Sequence, residues 1–183
     1  SNVMLVGHHD GQMAGPLSDQ NGLLSGLRAQ YPNRIHQVLV RVGHSNKAED
    51  ITLRCRSLLF IALGIYGASA FGPNVPLVVA ENGTIALNVP LTPSRRGSCS
   101  TRTTHPSFLR DLGRFLSAVG LTNPIITPLA AKTKGEAVAQ CLNPELLERL
   151  TPFSVSCAKR GHKSTWVRKS AKSCGRCMPC IYR

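Results

Sequence analysis

Acidic residues are scarce here: 9 aspartates and glutamates face 22 lysines and arginines, a net charge of +13, and none lies between Cys157 and Arg183. A field of that sign suits polyanions such as nucleic acid, nucleotides or phosphates, or else a plain basic surface facing water. Charged residues are only 17% of the chain against 42% hydrophobic, the reverse of a disordered composition, so a packed core is expected. No apolar run approaches the roughly 20 residues a membrane-spanning helix needs. The most apolar stretch, Leu58 to Phe71, follows the charged run Lys47 to Arg56 and reads as a buried helix. An internal repeat and a low-complexity tract are likewise missing, and with no charged-then-apolar run visible at the start no signal peptide is expected. With 183 residues there is room for one domain and a small appendage.

Cysteine is where the sequence is rich. There are 7, an odd number, and 4 of them fall at or after Cys157. Such crowding suggests metal binding in a reducing compartment, hence a cytoplasmic location, more than a disulfide framework. Cys174-Gly-Arg-Cys177-Met-Pro-Cys180 sets three thiols at three-residue intervals, and Cys157 supplies a fourth from upstream. Tetrahedral zinc asks for this, because nearby thiolates wrap one side of the ion while a distant one closes the site. Gly175 permits the tight turn, and Lys172 and Arg176 are expected to offset the thiolate charge. Four protein ligands leave no position for water, so the zinc would be structural. The alternatives are unmetallated thiols, an iron–sulfur cluster, or His162 in place of Cys157. Cys55, Cys99 and Cys141 read as core or loop thiols.

Along the chain, Val3 to Val6 is strand-like and is expected to end at Gly7-His8-His9-Asp10-Gly11. A helix is predicted from Pro16 to Gln30, with Leu17, Leu23, Leu24 and Leu27 at near-helical spacing, then a strand over Ile35 to Val42. Glu49 and Asp50 suit the first turn of a helix running on towards Gly72, and a third strand follows over Val75 to Ala80. A helix from Pro106 to Val119, an apolar run from Pro124 to Leu129, and a helix from Lys134 to Leu150 that Asn143-Pro144 can split complete the pattern. Strands alternating with helices predict an α/β domain with a mainly parallel sheet over residues 1–150, followed by a zinc module over 151–183.

In such sheets ligands sit beyond the carboxyl ends of strands. Glu81 to His105 leaves a buried strand as a long polar loop, and loops beyond about 12 to 15 residues are often functional. Its Glu81, Asn82, Asn88, Arg95, Arg102, Thr103, Thr104 and His105 suit a planar, hydrogen-bonding or phosphorylated ligand. A polar loop capped by Thr104 before a helix at Pro106 explains only the last part of that segment. Arg54 and Arg56 are weaker candidates for phosphate contact, or solvate a helix end. Adjacent His8 and His9 point to opposite sides of an extended chain and are not expected to share an ion.

The ending Cys174-Gly-Arg-Cys-Met-Pro-Cys-Ile-Tyr-Arg183, with Cys157 upstream, resembles the zinc site of the 7-cyano-7-deazaguanine synthase (QueC-like) family, a branch of the PP-loop ATP pyrophosphatases. Arg54-Cys-Arg-Ser-Leu-Leu-Phe-Ile-Ala-Leu-Gly64 resembles the family's arginine-led helix, and Thr127-Pro-Leu with Lys132-Thr-Lys-Gly-Glu136 its Pro-Leu and Lys-x-Glu region. Glu81-Asn-Gly and Ser100-Thr-Arg-Thr-Thr-His-Pro106 resemble a divergent subgroup, some of it associated with antiphage defence. The family's Ser-Gly-Gly-x-Asp-Ser loop, which grips ATP phosphates, does not occur here, and Val3 to Gly11 resembles the family's second strand. The resemblance therefore implies a Rossmann-like PP-loop (HUP-type) fold that starts after the ATP loop, by truncation or natural loss, and no ATP hydrolysis by this chain alone. For the intact protein it implies ATP and magnesium, a 7-deazaguanine-type substrate, and conversion of its carboxylate to a nitrile. A zinc-containing module that binds nucleic acid or protein is the competing expectation. No membrane partner is expected, and self-assembly is left open.

Overall fold

In the computed structural model the described residues are 1–9, 14–43, 56–87, 104–155, 157, 164, 166, 170–177 and 180. The chain divides into two compact units, Ser1–Met4, Gly11–Gln37 and Cys141–Arg183 forming one, and Leu5–Asp10 with Val38–Gln140 the other.

Strand β1, Val3–His9, pairs with β2, Ile35–Arg41. The Val3 amide donates to the Arg34 carbonyl and the Val42 amide to the His9 carbonyl, both at 2.9 Å, so the strands run the same way. That pairing carries β1 past Gly7, where the sequence predicts a break, through His8 and His9. Between the strands lies helix α1, Ala14–Gln30.

In the second unit, helix α2, Arg56–Ser69, leads to β3, Leu77–Val78, which pairs in parallel with β4, Ile125–Ile126. Pro76 and Pro124 precede these strands and Pro128 closely follows the second. Proline cannot donate to a ladder, which explains two-residue strands inside longer apolar runs. The described strands thus form two separate pairs, where the sequence predicts one mainly parallel sheet. Helix α3, Gly83–Leu87, follows β3, and α4, Pro106–Ala118, precedes β4.

The core of this unit joins Ile61 and Ile65 of α2 to Leu112 of α4, with Leu77, Phe108, Leu109, Leu116, Leu121 and Ile125 packed against them. Ile65 is 2% exposed, and burying such a side chain contributes about 1.5–3 kcal/mol. Asn123, itself buried, donates through Nδ2 to the carbonyls of Gly72 and Val75 at 2.9 Å, tying together the approaches to both strands.

The last predicted helix is two. Helix α5, Lys134–Ala139, opens with a capping box in which Thr133 accepts from the Glu136 amide and Glu136 reaches back to the Thr133 amide at 2.7 Å. Helix α6, Pro144–Leu150, is capped by Asn143, whose Oδ1 accepts from the Leu146 amide at 3.0 Å, with Pro144 in the first turn. A 3-10 turn, Thr151–Phe153, follows directly. Among the described residues no helix is long and apolar enough to cross a membrane.

Candidate metal centre

The cysteine run after α6 folds back on Cys157. The Sγ atoms of Cys157, Cys174, Cys177 and Cys180 all lie within 4.8 Å of one another. Cys174 and Cys180 are 3.9 Å apart, as are Cys157 and Cys177, and Cys177 lies 3.2 Å from Cys180. A tetrahedron of sulfurs about 2.3 Å from zinc has an edge of about 3.8 Å, so two of these separations already match it. None of the four is in a disulfide.

Local backbone geometry builds the cluster. Gly175 has a φ of +71°, the left-handed conformation its turn was expected to need. The Cys180 amide donates to the Cys177 carbonyl at 2.8 Å, and the Cys174 amide to the Cys157 sulfur at 3.4 Å. The backbone of Arg176 donates to Cys174 and holds its thiol below the usual range, favouring the thiolate a metal requires. The Cys177 thiol beside Cys180, together with burial, pushes Cys180 up to about 11. This cluster can hold a metal ion such as zinc. His162, the alternative ligand, lies outside the described residues, as do Cys55 and Cys99. Cys141 is a half-buried free thiol and not one of the cluster.

The Lys172 ammonium is directed elsewhere than the thiolates it was expected to offset. It donates to the Pro152 carbonyl at 3.1 Å, sits 3.9 Å from Asp19 Oδ1, and lies 4.7 Å from the centre of the Phe153 ring.

A second cluster lies past the carboxyl ends of β3 and β4. Glu81, Asn82 and Gly83 follow β3, and the Gly83 amide donates to the Lys132 carbonyl at 2.9 Å. A Cβ on Gly83 would stand 2.4 Å from the Ala130 carbonyl oxygen, so only glycine allows this segment to approach the turn after β4. Asn82 is buried, and its carbonyl accepts from the Ala86 amide at 3.0 Å. That contact opens α3, so the expected long loop is helical over Gly83–Leu87, with Ala86 buried. Thr104, 2% exposed, donates its hydroxyl to Glu81 Oε2 at 2.8 Å. Burial raises the Glu81 pKa above its ordinary value, and the Thr104 hydrogen bond partly opposes the rise.

Thr104 therefore braces Glu81, while the cap of α4 is His105, whose Nδ1 accepts from the Ser107 amide at 3.3 Å. Glu81, Asn82 and Thr104 come together; Asn88, Arg95, Arg102, Thr103 and Arg54 lie outside the described residues. Arg56 opens α2. His8 stacks edge-on against Phe60 with ring centres 4.7 Å apart, and neither His8 nor His9 joins a metal-binding group among the described residues.

No family model, curated protein or solved structure matches the chain. What stands is a mixed α/β protein with short parallel sheets and a four-cysteine cluster able to hold a metal ion.

Proposed function

We propose that Cys157, Cys174, Cys177 and Cys180 hold one structural zinc, and that the chain is a QueC-like protein of the 7-cyano-7-deazaguanine synthase type. The observation carrying the metal half is the cluster of four sulfurs within 4.8 Å. Protein fills every tetrahedral position, so the ion braces its surroundings and takes no reaction step. The substrate half is supported by the position of Glu81, Asn82 and Thr104 past the ends of two parallel strands, where α/β proteins bind ligands. A carboxylate steadied by a hydroxyl accepts hydrogen bonds from the N–H edge of a guanine-like base. Arg95 and Arg102 belong to the proposed substrate site and Arg54 and Arg56 are weaker candidates for phosphate contact, in the Rossmann-like arrangement that the intact protein would use with ATP and magnesium. In that reaction adenylation turns a carboxylate oxygen into a leaving group, ammonia gives the amide, and dehydration gives the nitrile.

The acid-free stretch from Cys157 to Arg183 supports a second reading, a zinc-bearing module that docks on nucleic acid. Titration calorimetry separates the two, using 7-carboxy-7-deazaguanine, guanine, and a short RNA at two salt concentrations. Selective micromolar binding of the deazaguanine is expected, lost in Glu81→Ala. Tight, salt-sensitive RNA binding with no small-molecule heat would sink the synthase reading.

A further inference from the structure

We infer that Lys172 is a positioning residue for the metal: its ammonium clasps the cysteine-bearing tail to α1 and the 3-10 turn, and this clasp sets how tightly the four thiolates hold their ion. The inference rests on the metal reading above.

Helix α1 presents Asp19, Gly22 and Gly26 at helical spacing, so they share one face. Each receives a group from the C-terminal segment. The Lys172 ammonium is 3.9 Å from Asp19, which is 7% exposed. The Phe153 ring occupies the space above Gly22, where a Cβ would be 2.4 Å from Phe153 Cδ1. Leu150 fills the space above Gly26, where a Cβ would be 2.3 Å from Leu150 Cδ2.

Lys172 also donates to the Pro152 carbonyl and lies over the Phe153 ring, so a single ammonium joins helix, turn and tail. Two residues on, Cys174 gives its amide to the Cys157 sulfur. Releasing Lys172 frees the backbone that sets this ligand pair. Because metal binding is linked to the ordering of its ligands, a contact that orders them appears as metal affinity.

Zinc affinity of the full chain, measured by competition with a chromophoric chelator, tests the clasp. Lys172→Ala is expected to weaken binding about tenfold, from loss of the ring contact and the charge pair together. Asp19→Asn keeps the shape and is expected to weaken it about two- to fivefold, since Lys172 is half exposed. Lys172→Arg should restore most of the affinity. The double variant Asp19→Asn with Lys172→Ala should lose less than the product of the single losses, as expected for residues acting through one contact. Trp166, the chain's one tryptophan and 4% exposed, reports by fluorescence whether each variant remains folded. If the unaltered chain binds zinc and folded Lys172→Ala binds it equally well, the clasp is refuted. An unaltered chain with no zinc affinity overturns the metal reading itself and the clasp with it.

Discussion

The cysteine tail and the β3–β4 core are ordered by opposite means. Around Ile61, Ile65 and Leu112 order comes from apolar side chains supplied by two helices and two strands, and the contact is non-directional. Around Cys174 it comes from a few directed contacts: four convergent sulfurs, backbone amides on sulfurs, and one lysine shared by a carboxylate, a carbonyl and a ring. The first kind tolerates reshaping if volume is kept, whereas the second fails when one donor is lost. Local sequence can encode a core by periodicity, but it must encode a metal cluster by residue type and spacing.

The contrast is sharpest under Cys177→Ser. Zinc sites of this kind bind with about 10–16 kcal/mol, so losing one ligand of four is expected to remove about 3–4 kcal/mol, read as a several-hundredfold fall in chelator competition. Ile65→Ala should instead cost about 3 kcal/mol of folding stability in urea and leave zinc stoichiometry unchanged. If Ile65→Ala released the metal, the two modes of ordering would not be separable.

A third test uses pH. Glu81 has its pKa raised by burial, so its protonated form suits the fold better than its ionised form. Its favourable contribution is complete below the ordinary glutamate value of 4.5 and is lost as pH rises through the elevated folded value. Glu81→Gln should flatten that decline, seen as a smaller stability change across this window in denaturant melts at successive pH values. A slope unchanged by the substitution would place the raised group elsewhere. The smallest effect is expected at Asn143: Asn143→Ala leaves the Leu146 amide without its cap and should cost about 1 kcal/mol.

Much of this was legible where chemistry is local. The Cys174, Cys177 and Cys180 spacing with Cys157 upstream named the four-cysteine cluster, and Asn143-Pro144 marked the boundary between α5 and α6. Glu-Asn-Gly after an apolar run marked the second cluster, though not that β3 in that run is half exposed, nor the reason for Gly83, which is the Ala130 carbonyl on a distant turn. Long-range contacts were the illegible part. Lys172 read as a counterion to neighbouring thiolates because its partner Asp19 is remote in sequence. Thr104 read as a helix cap because Glu81, its acceptor, is 23 positions away. Gly7 read as a strand end because pairing with β2 is not written in β1.

Cys157 and Cys174 stand 17 positions apart, and a metal gripping both would act on the unfolded chain as well as on the folded one. It would close a loop of that length, removing chain freedom worth about 3 kcal/mol in a purely entropic account. Such a closure depends on contour length only logarithmically, so doubling the loop would cost about 0.6 kcal/mol more. Away from Lys172 and the buried Trp166, the interval between these two ligands is therefore a place where the polymer physics tolerates insertion, while the seven-residue run from Cys174 to Cys180 is not.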